Sequence, residues 1–444
     1  MLKEKATKII KTLVGAGYES YFAGGCVRDL VLGIAPHDYD IATAATPDQV
    51  RALFEKTIPV GVAFGVVIVV DGEDQFEVAT FRKDEKYEDG RHPTSVTFSS
   101  AEEDAKRRDF TINGMFFDPL TNKLIDFVGG REDIAKKLIR SIGNPDQRFA
   151  EDRLRMLRAV RFAARLGFTI DKPTMYSIIE WAYKIDEISA ERIRDELTKI
   201  ITGPRRMSAV SDLNVFGLLE PILPEVAALR GVEQNPKWHP EGTAYVHTLQ
   251  LLNNMKDNAE EELAWACLLH DTGKATTSKV NENGHIVAYG HEYESEKLAG
   301  EVLNRLNFSN EKKDVILSMV KSHMKFRNAK EMNKSTLKRL MRLPRFDLQL
   351  ELHKLDCMSS HADYEMYDYC KAKLAEFGAE LGKESETKAI NPDRLITGDD
   401  LIALGLTPGP MFKELLRAVE DAQLEETITT KEEALVLVTT LLKE

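Results

Sequence analysis

Two aspartates near the N-terminus, Asp38 and Asp40, are the residues best suited to chemistry. They flank Tyr39 in a short segment with strand character, and alternate residues of a strand project from one face. Two carboxylates on one face suit Mg²⁺, which binds through a couple of carboxylates and substrate phosphates and otherwise keeps its waters. The pair therefore predicts a magnesium site, and the alternative is two solvated surface aspartates.

A glycine pair precedes these aspartates. Gly24-Gly25 lies between an apolar run and an amphipathic helix that starts near Val27, where backbone N–H groups can approach a phosphate and the helix dipole favours an anion. Arg28 and Asp29, in the first turn of that helix, are expected to contact the sugar or phosphate and to hold the loop. Glycines and aspartates in this order predict a triphosphate held between them, and the alternative is a tight strand–helix turn.

Two adjacent arginines form a further anion-binding candidate. Arg107 and Arg108 each offer a planar fork of donors, which suits a triphosphate. They precede an apolar, Asn-containing turn that includes Asp109 and Asn113.

A candidate for base selection follows in Glu151–Arg165, which the sequence pattern predicts to be helical. Asp152 and Arg155 are three residues apart and share a helix face, so they offer an acceptor and a donor in fixed geometry. Cytosine and adenine present an amine beside an acceptor, whereas guanine and uracil present the opposite order. Such a pair could select C and A without a nucleic-acid template, and the alternative is a surface ion pair. Arg158, Arg161 and Arg165 continue as a basic stripe.

At these residues the sequence resembles class II tRNA nucleotidyltransferases and the related bacterial poly(A) polymerases. The resemblance implies that Asp38 and Asp40 are the catalytic metal-binding pair. It also implies a nucleotide-binding role for residues in three motifs, which are Gly24, Gly25, Arg28 and Asp29; Arg107, Arg108, Asp109 and Asn113; and Asp152 and Arg155. Arg158 and Arg161 of the basic stripe are further nucleotide-binding candidates, and the alternative is that the stripe contacts the RNA backbone. The family's Arg-Arg-Asp-Phe-Thr-Ile-Asn-Ala motif is matched except at Gly114.

Two features of the head remain open at this stage. Residues 82–93 are charged and free of periodicity, which indicates a loop, and their Asp89-Gly90-Arg91-His92-Pro93 ending resembles that of family members that add the terminal A. This argues against an enzyme that adds only the two C residues. Glu77, on a predicted strand, is expected either to supply a third carboxylate near the metal or to face solvent.

A third group of residues lies outside this region. His247, His270-Asp271 and Asp356 fit the order of metal ligands in HD-type phosphohydrolases, with His291 and His323 available for a second ion. A second divalent metal is therefore expected in this part of the chain. The alternative is that the domain is retained only as an RNA-binding body.

The composition is that of a globular protein with reduced thiols. The 444 residues carry a net charge of −12, so any RNA site must be a local basic patch. The four cysteines show no Cys-x-x-Cys spacing, and no stretch approaches the ~20 apolar residues of a membrane span. These observations predict a cytoplasmic protein without a membrane partner, and they leave its oligomeric state open.

The elements that must position these residues predict an α+β fold. A small mixed-sheet nucleotidyltransferase head is expected over residues 1–145, including a β-hairpin of Phe64–Val70 and Gln75–Phe81. An extended all-α body is expected to follow, with a nucleobase-recognition neck at 146–228, an HD-type helical domain at 229–385 and a helical tail at 386–444.

The leading functional hypothesis is template-independent, Mg-dependent addition of CCA, or of its terminal A, to tRNA 3′ ends from CTP and/or ATP. Poly(A) polymerase is the rival within the same class, because the two share the head motifs. The rivals from other classes are an HD phosphohydrolase with an inactive head and an RNA-binding protein without turnover.

Overall fold

The computed structural model describes residues 2–60, 65–84, 96–377 and 390–443. The predicted Asp89–Pro93 motif lies outside these ranges, as does Phe64 at the start of the predicted hairpin. The chain divides into two compact units, Met1–Pro224 and Glu225–Glu444. No helix among the described residues is long and apolar enough to cross a membrane.

The N-terminal unit is built on a mixed sheet of seven strands in the order β3-β4-β5-β2-β1-β8-β9. Only β2 and β5 pair in parallel, and the other neighbours are antiparallel. The strands of this sheet are β1 Ser20–Ala23, β2 Asp40–Thr43, β3 Thr57–Ile58, β4 Val66–Asp71, β5 Asp74–Thr80, β8 Phe116–Asp118 and β9 Lys123–Ile125. Two small pairs accompany it, β6 Arg82–Asp84 with β7 Val96–Phe98, and β10 Leu138–Ile139 with β11 Thr169–Ile170.

The helices of this unit cover the sheet and then form a helical layer of their own. They are α1 Leu2–Gly15, α2 Gly25–Val31, α3 Pro47–Leu53, α4 Ala101–Arg107, α5 Gly130–Lys136, α6 Pro145–Glu151, α7 Leu154–Leu166, α8 Lys172–Trp181, α9 Ala190–Thr202, α10 Arg206–Val215 and α11 Leu219–Ile222. Short 3₁₀ helices span Thr111–Asn113 and Ala182–Glu187. Apolar residues of β1, β2, β8 and α4 pack together and fix α4 against the sheet.

Local sequence explains several of these boundaries. Thr46 caps α3 through a capping box with Gln49, and Pro47 occupies the first helical position. The hairpin forms with β4 paired to β5, and its turn uses Gly72 at φ +71°.

The prediction of one continuous helix over Glu151–Arg165 is wrong in one respect, because the helix is interrupted at Asp152. Asp152 has extended φ/ψ angles of −149° and 103°, which separate α6 from α7. Its Oδ1 accepts a hydrogen bond from the N–H of Leu154 at 3.1 Å, in the manner of an N-terminal cap. The side-chain oxygen therefore stabilises the start of α7 at the position where the chain leaves α6.

In its described residues, the C-terminal unit is helical apart from turns and the small hairpin of β12 Lys279–Val280 and β13 Ile286–Val287. Its α-helices are α12 Pro224–Ala227, at the boundary, α13 Ala244–Asn254, α14 Glu261–Leu269, α15 Lys274–Thr277, α16 His291–Arg305, α17 Asn310–Ser322, α18 Lys334–Met341, α19 Phe346–Ser359, α20 Glu365–Glu376, α21 Gly398–Ala403, α22 Pro410–Leu424 and α23 Lys431–Leu441. Further 3₁₀ helices span Ala228–Gly231 and His323–Glu331. The predicted fold class, a mixed-sheet head followed by a helical body, is confirmed.

Candidate active site and candidate metal centre

The aspartate pair lies at the start of β2, in the middle of the sheet. Asp40 is the first residue of this strand and pairs with Ala23 of β1, whereas the exposed Asp38 lies just before the strand. Between them, the buried Tyr39 packs on Phe22 with ring centroids 5.0 Å apart, which fixes the direction of the segment. Both carboxylates line one cavity.

Burial raises the pKa of Asp40 to about 6, together with two neighbouring carboxylates, and the guanidinium of Arg108 opposes this rise. Those neighbours are Glu77 and Asp38. Glu77 is exposed on β5, one residue before Val78, which pairs with Ile41. A site that concentrates negative charge in this way suits a divalent cation, so the residues fit the expected metal.

The turn between β1 and α2 brings the backbone close to two of these side chains. Gly24 has φ +71°, a conformation that favours glycine. A Cβ at this position would lie 3.2 Å from Nη1 of Arg108 and 3.8 Å from Oδ2 of Asp40. The glycine is therefore needed both for the turn and for the close approach of the arginine.

Several polar residues predicted to bind nucleotide are also tied to one another. Arg28 donates through Nε and Nη2 to Oδ1 of Asp29, and through Nη1 to Oδ1 of Asn113 at 2.9 Å. Asn113 in turn donates to Asp109 at 3.1 Å, and Asp109 accepts from Nε and Nη2 of Arg158. The resulting network joins α2, the 3₁₀ turn and α7, and it leaves these buried charges paired.

Three guanidiniums on the same side of the cavity share one aromatic ring. Those of Arg28, Arg158 and Arg161 lie 5.4, 5.2 and 4.3 Å from the centroid of Phe162. Arg161 also donates to Glu196 of α9 at 2.5 Å. The aromatic face and the carboxylate stabilise a concentration of positive charge that would otherwise repel itself.

The side chains of Asp152 and Arg155 bond to different partners. Arg155 donates to Oε2 of Glu151 at 2.7 Å, while Oδ2 of Asp152 accepts from Arg192 of α9 at 2.8 Å. The expected acceptor and donor thus stand beside each other, and each is held by a separate partner.

The catalytic and nucleotide-binding residues predicted in the N-terminal unit line one cavity of about 580 Å³. The structure brings together Gly24, Gly25, Arg28, Asp29, Asp38, Asp40, Arg107, Arg108, Asp109, Asn113, Asp152, Arg155, Arg158 and Arg161, and it adds His37, Phe162 and Arg165 to the lining. A cavity of this size, with carboxylates at one place and guanidiniums around it, can hold a nucleoside triphosphate with its metal.

Three supporting residues were missed from the sequence. Asp104 and Glu196 are buried carboxylates that hold arginines of the cavity, and Phe162 lies beneath three of them. The helical spacing of Asp104 from Arg107 and Arg108, three and four residues, was a usable signal. No local signal links Glu196 to Arg161, because the contact joins two helices.

In the C-terminal unit the predicted metal ligands also converge. Nε2 of His247 lies 3.0 Å from Oδ1 of Asp356 and 3.9 Å from Oδ2 of Asp271. His270 Nε2 lies 3.3 Å from Oδ2 of Asp271, and His291 Nε2 lies 3.2 Å from its Oδ1. Asp271 therefore stands at the centre of two histidine groups that could hold a metal ion, His247-His270-Asp271 and Asp271-His291-His323.

The imidazoles are oriented by their other ring nitrogen. Nδ1 of His270, His291 and His323 lies 2.9, 2.7 and 2.6 Å from the carbonyl three residues earlier, so these nitrogens carry the proton and Nε2 faces the site. Among the described residues, Nε2 of His270 and Oδ1 of Asp271 are buried without a hydrogen-bond partner. Buried ligand atoms without partners are what a divalent metal would satisfy, so this donor set fits a metal.

A half-buried glutamate that the sequence did not indicate, with a side chain 4% exposed, supports this centre. Oε1 of Glu241 lies 2.6 Å from Nδ1 of His247 and 2.8 Å from Nδ1 of His239. His291, His323, Asp271 and Asp356 open onto a cavity of about 620 Å³ whose wall also includes Lys274 and Arg327. The two basic side chains can attract an anionic substrate such as a phosphoester.

Three family models match the chain in sequence. They are the poly A polymerase head domain over residues 20–140, the probable RNA and SrmB-binding site of polymerase A over residues 167–229, and the HD domain over residues 239–351.

Curated relatives match the chain over part of their length. A CCA-adding enzyme of Oceanobacillus iheyensis is 47% identical over 207 residues, which is 46% of this chain and 52% of the relative. A CCA-adding enzyme of Geobacillus thermodenitrificans is 44% identical over 271 residues, or 61% of this chain and 63% of the relative. The matched stretches thus span between about half and somewhat less than two thirds of these relatives.

Solved structures match over nearly the whole chain. The CCA-adding enzyme of Bacillus stearothermophilus in complex with CTP is 29% identical, with a TM-score of 0.74 over 99% of this chain and 98% of that one. A complex of a CCA-adding enzyme with ATP, 22% identical with a TM-score of 0.64, shows the same fold. With the three matched family models, these relatives confirm the resemblance. The chain is therefore similar to CCA-adding enzymes, and its sequence matches a poly A polymerase head domain, a probable RNA-binding site of polymerase A and an HD domain.

Proposed function

We propose that this protein adds CCA, or its terminal A, to the 3′ end of tRNA, using CTP and/or ATP. The observation that carries the proposal is the single head cavity that contains the aspartate pair, the glycine turn, the arginines and the Asp152–Arg155 segment. Relatives described as CCA-adding enzymes, one of them in complex with CTP, support the same activity. The proposed division of labour is a catalytic head at 1–145, a nucleobase-recognition neck at 146–228, an HD domain at 229–385 and a tail at 386–444.

In this proposal the chain's own residues bind and orient the triphosphate. The turn at Gly24 and Gly25 presents backbone N–H groups, and Arg107 and Arg108 bring two positive guanidiniums to the phosphate oxygens. Mg²⁺ held by Asp38 and Asp40 would supply activation of the RNA 3′-hydroxyl and charge neutralisation at the leaving pyrophosphate. The Arg28–Asp29–Asn113 network keeps the turn in place.

Base choice is assigned to the junction of α6 and α7. Asp152 is held by Leu154 and Arg192, and each carboxylate oxygen retains a lone pair for the exocyclic amine of C or A. Arg155 is held by Glu151 and offers the neighbouring donor. A guanine or uracil would place a carbonyl against the Asp152 carboxylate, which is a repulsive pairing.

One assay tests the activity and separates it from poly(A) synthesis. The purified protein is offered tRNAs that end before CCA, after C and after CC, with CTP or ATP alone and together, and the products are sequenced. CCA addition predicts that growth stops once the triplet is complete. A-only addition predicts that only the CC-ending tRNA accepts a nucleotide, and a poly(A) polymerase would continue past one A.

A second activity is favoured by the converging imidazoles of the C-terminal unit. We infer that this site hydrolyses a phosphoester, such as a 2′,3′-cyclic or terminal phosphate at a damaged tRNA end. The donor set that supports this is His247, His270, Asp271 and Asp356, with His291 and His323 beside them. A divalent metal bound there would supply an activated water, while Lys274 and Arg327 attract the phosphate. Metal analysis and cleavage of 2′,3′-cyclic nucleotides with added Mn²⁺, Ni²⁺ or Mg²⁺ test it, and a protein without metal or cleavage would contradict it.

A further inference from the structure

One buried carboxylate serves both of the adjacent arginines in the head cavity. Asp104, 1% exposed on α4, accepts from Nε of Arg107 at 2.9 Å on Oδ1, with Nη2 of that residue at 2.8 Å. Its other oxygen, Oδ2, accepts from Nε and Nη2 of Arg108 at 3.1 and 2.9 Å. The two guanidiniums hold the pKa of Asp104 below its usual value despite its burial, so the carboxylate is charged.

This arrangement fixes the orientation of each guanidinium. Both ion pairs use the Nε–Nη2 edge, so the Nη1 side of each planar group points away from the carboxylate. The ring of Phe116, 5.2 Å from the guanidinium carbon of Arg108, further confines this side chain. The absence of a side chain at Gly24 leaves the room that the guanidinium needs. Both arginines line the cavity beside Asp40.

This group of side chains is suited to binding an anion. It consists of two guanidiniums and one carboxylate, and both guanidiniums line the cavity that a substrate phosphate would enter. An unsupported arginine side chain would also lose rotamer entropy on binding, and much of that loss is avoided when the side chain is already held.

We propose that Asp104 is a positioning residue for the triphosphate, which aligns Arg107 and Arg108 as one rigid phosphate-binding pair. This inference rests on the proposed nucleotidyltransferase function and deepens it. It assigns Asp104 to the phosphates and not to the base, so its effect is the same for every nucleotide.

The test compares Asp104→Asn with Glu103→Gln, a neighbouring charge removal on the same helix whose partners, Lys83 and Lys106, do not line the cavity. Binding of inorganic tripolyphosphate, ATP and CTP to the full chain is measured by calorimetry in EDTA. For Asp104→Asn we expect a loss of about tenfold or more in all three affinities, because one acceptor becomes a donor facing a guanidinium. KM for ATP and CTP should rise by a common factor while kcat changes less and base choice is unchanged, and Glu103→Gln should behave like the wild type.

Three results separate the possible failures. Wild-type affinity in a folded Asp104→Asn protein would overturn the inference, and so would losses that differ between ATP and CTP. If the wild type binds neither tripolyphosphate nor nucleotide, the proposed function fails first.

A second variant serves if Asp104→Asn does not fold. Arg107→Lys combined with Arg108→Lys keeps the charges and removes the planar guanidiniums, so it should weaken the binding of tripolyphosphate by the same tenfold. Unchanged binding would overturn the inference.

Discussion

At the scale of single residues, the head cavity combines groups that face a ligand with groups that hold them. Asp38 is exposed and Asp40 half-buried, as ligands of an exchangeable cation must be, whereas Arg28, Asp29 and Asp109 are buried and paired. Loss of a residue from the first group removes chemistry, and loss of one from the second leaves a buried charge without a partner.

Asp38→Ala or Asp40→Ala should reduce nucleotide addition by at least about a hundredfold, because each removes a metal ligand at the reacting phosphate. Thermal unfolding should stay close to that of the wild type, since both carboxylates are on the cavity surface. The measurement is ATP incorporation into tRNA ending in CC, with Glu73→Ala in the exposed β4–β5 turn as control. If both variants still incorporated ATP, the assignment of Asp38 and Asp40 as metal ligands would be wrong.

Metal affinity at this site should depend on pH. With its pKa raised to about 6, Asp40 is ionised above that pH and binds a cation fully there, and affinity falls as pH decreases through 6. Because Glu77 raises this pKa, Glu77→Gln should lower the pH at which the metal affinity decreases. A Mn²⁺ titration between pH 5 and 8 measures both curves. Weaker binding of Glu77→Gln at pH 8 would instead identify Glu77 as a third ligand.

At the scale of elements, the junction between α6 and α7 links base selection to phosphate binding. Arg148 and Arg155 donate to the carbonyls of Lys106 and Arg107, at the C-terminus of α4, at 2.7 and 3.3 Å. Positive side chains at these carbonyls also complement the helix dipole. The segment expected to choose the base is therefore attached to the helix that carries the arginine pair.

Asp152→Ala should relax base choice before it abolishes transfer, because the aspartate pair and the arginines stay in place. A lost hydrogen-bond pairing to a base is worth about 1–3 kcal/mol of discrimination, so GTP and UTP should gain roughly tenfold or more relative to ATP. Arg192→Ala should show a smaller change in the same direction, since it removes only one support of Asp152. An equal decrease for all four nucleotides would mean that the junction is structural.

The departure from the family motif at Gly114 has a packing cause. A Cβ there would lie 2.7 Å from Cγ2 of Val128 and 3.0 Å from Cδ1 of Ile142. Gly114→Ala should therefore destabilise the protein by about 1–3 kcal/mol. Val128→Ala should relieve the clash, so that the double variant is more stable than the sum of the single losses in denaturant unfolding. Simple additivity would show that the clash is absorbed elsewhere.

At the scale of the whole molecule, the two candidate sites lie in separate compact units. The head cavity is lined by residues up to Arg165, and the HD cavity begins at Glu233. Neither cavity takes a lining residue from the other unit.

His270→Ala with Asp271→Ala should therefore abolish any phosphoester cleavage, by at least about a hundredfold, and reduce bound metal. Addition of nucleotides to an intact tRNA should remain within about twofold of the wild type, because no head ligand is touched. Both activities are assayed on one preparation, with Asp38→Ala as the reciprocal control. A large loss of addition in the double variant would show that the two units act together.

The sequence by itself determined the resemblance to known enzymes and the choice of candidate site residues. Asp38, Asp40, Arg107, Arg108 and the HD ligands are close together in the chain or in a fixed order, so residue type and spacing were sufficient. Periodicity also predicted the mixed-sheet head and the helical body, which the structure confirms.

Only the tertiary structure decided which partners hold these residues. The contacts of Arg161 with Glu196, Arg158 with Asp109 and Asp152 with Arg192 join positions 35, 49 and 40 residues apart, and no local pattern encodes them. The break at Asp152 was missed because the apolar period continues across it, while the competing side-chain cap on Leu154 stabilises the extended backbone. Burial, which raises the pKa of Asp40 and leaves ligand atoms of His270 and Asp271 without partners, is likewise a property of the assembled fold.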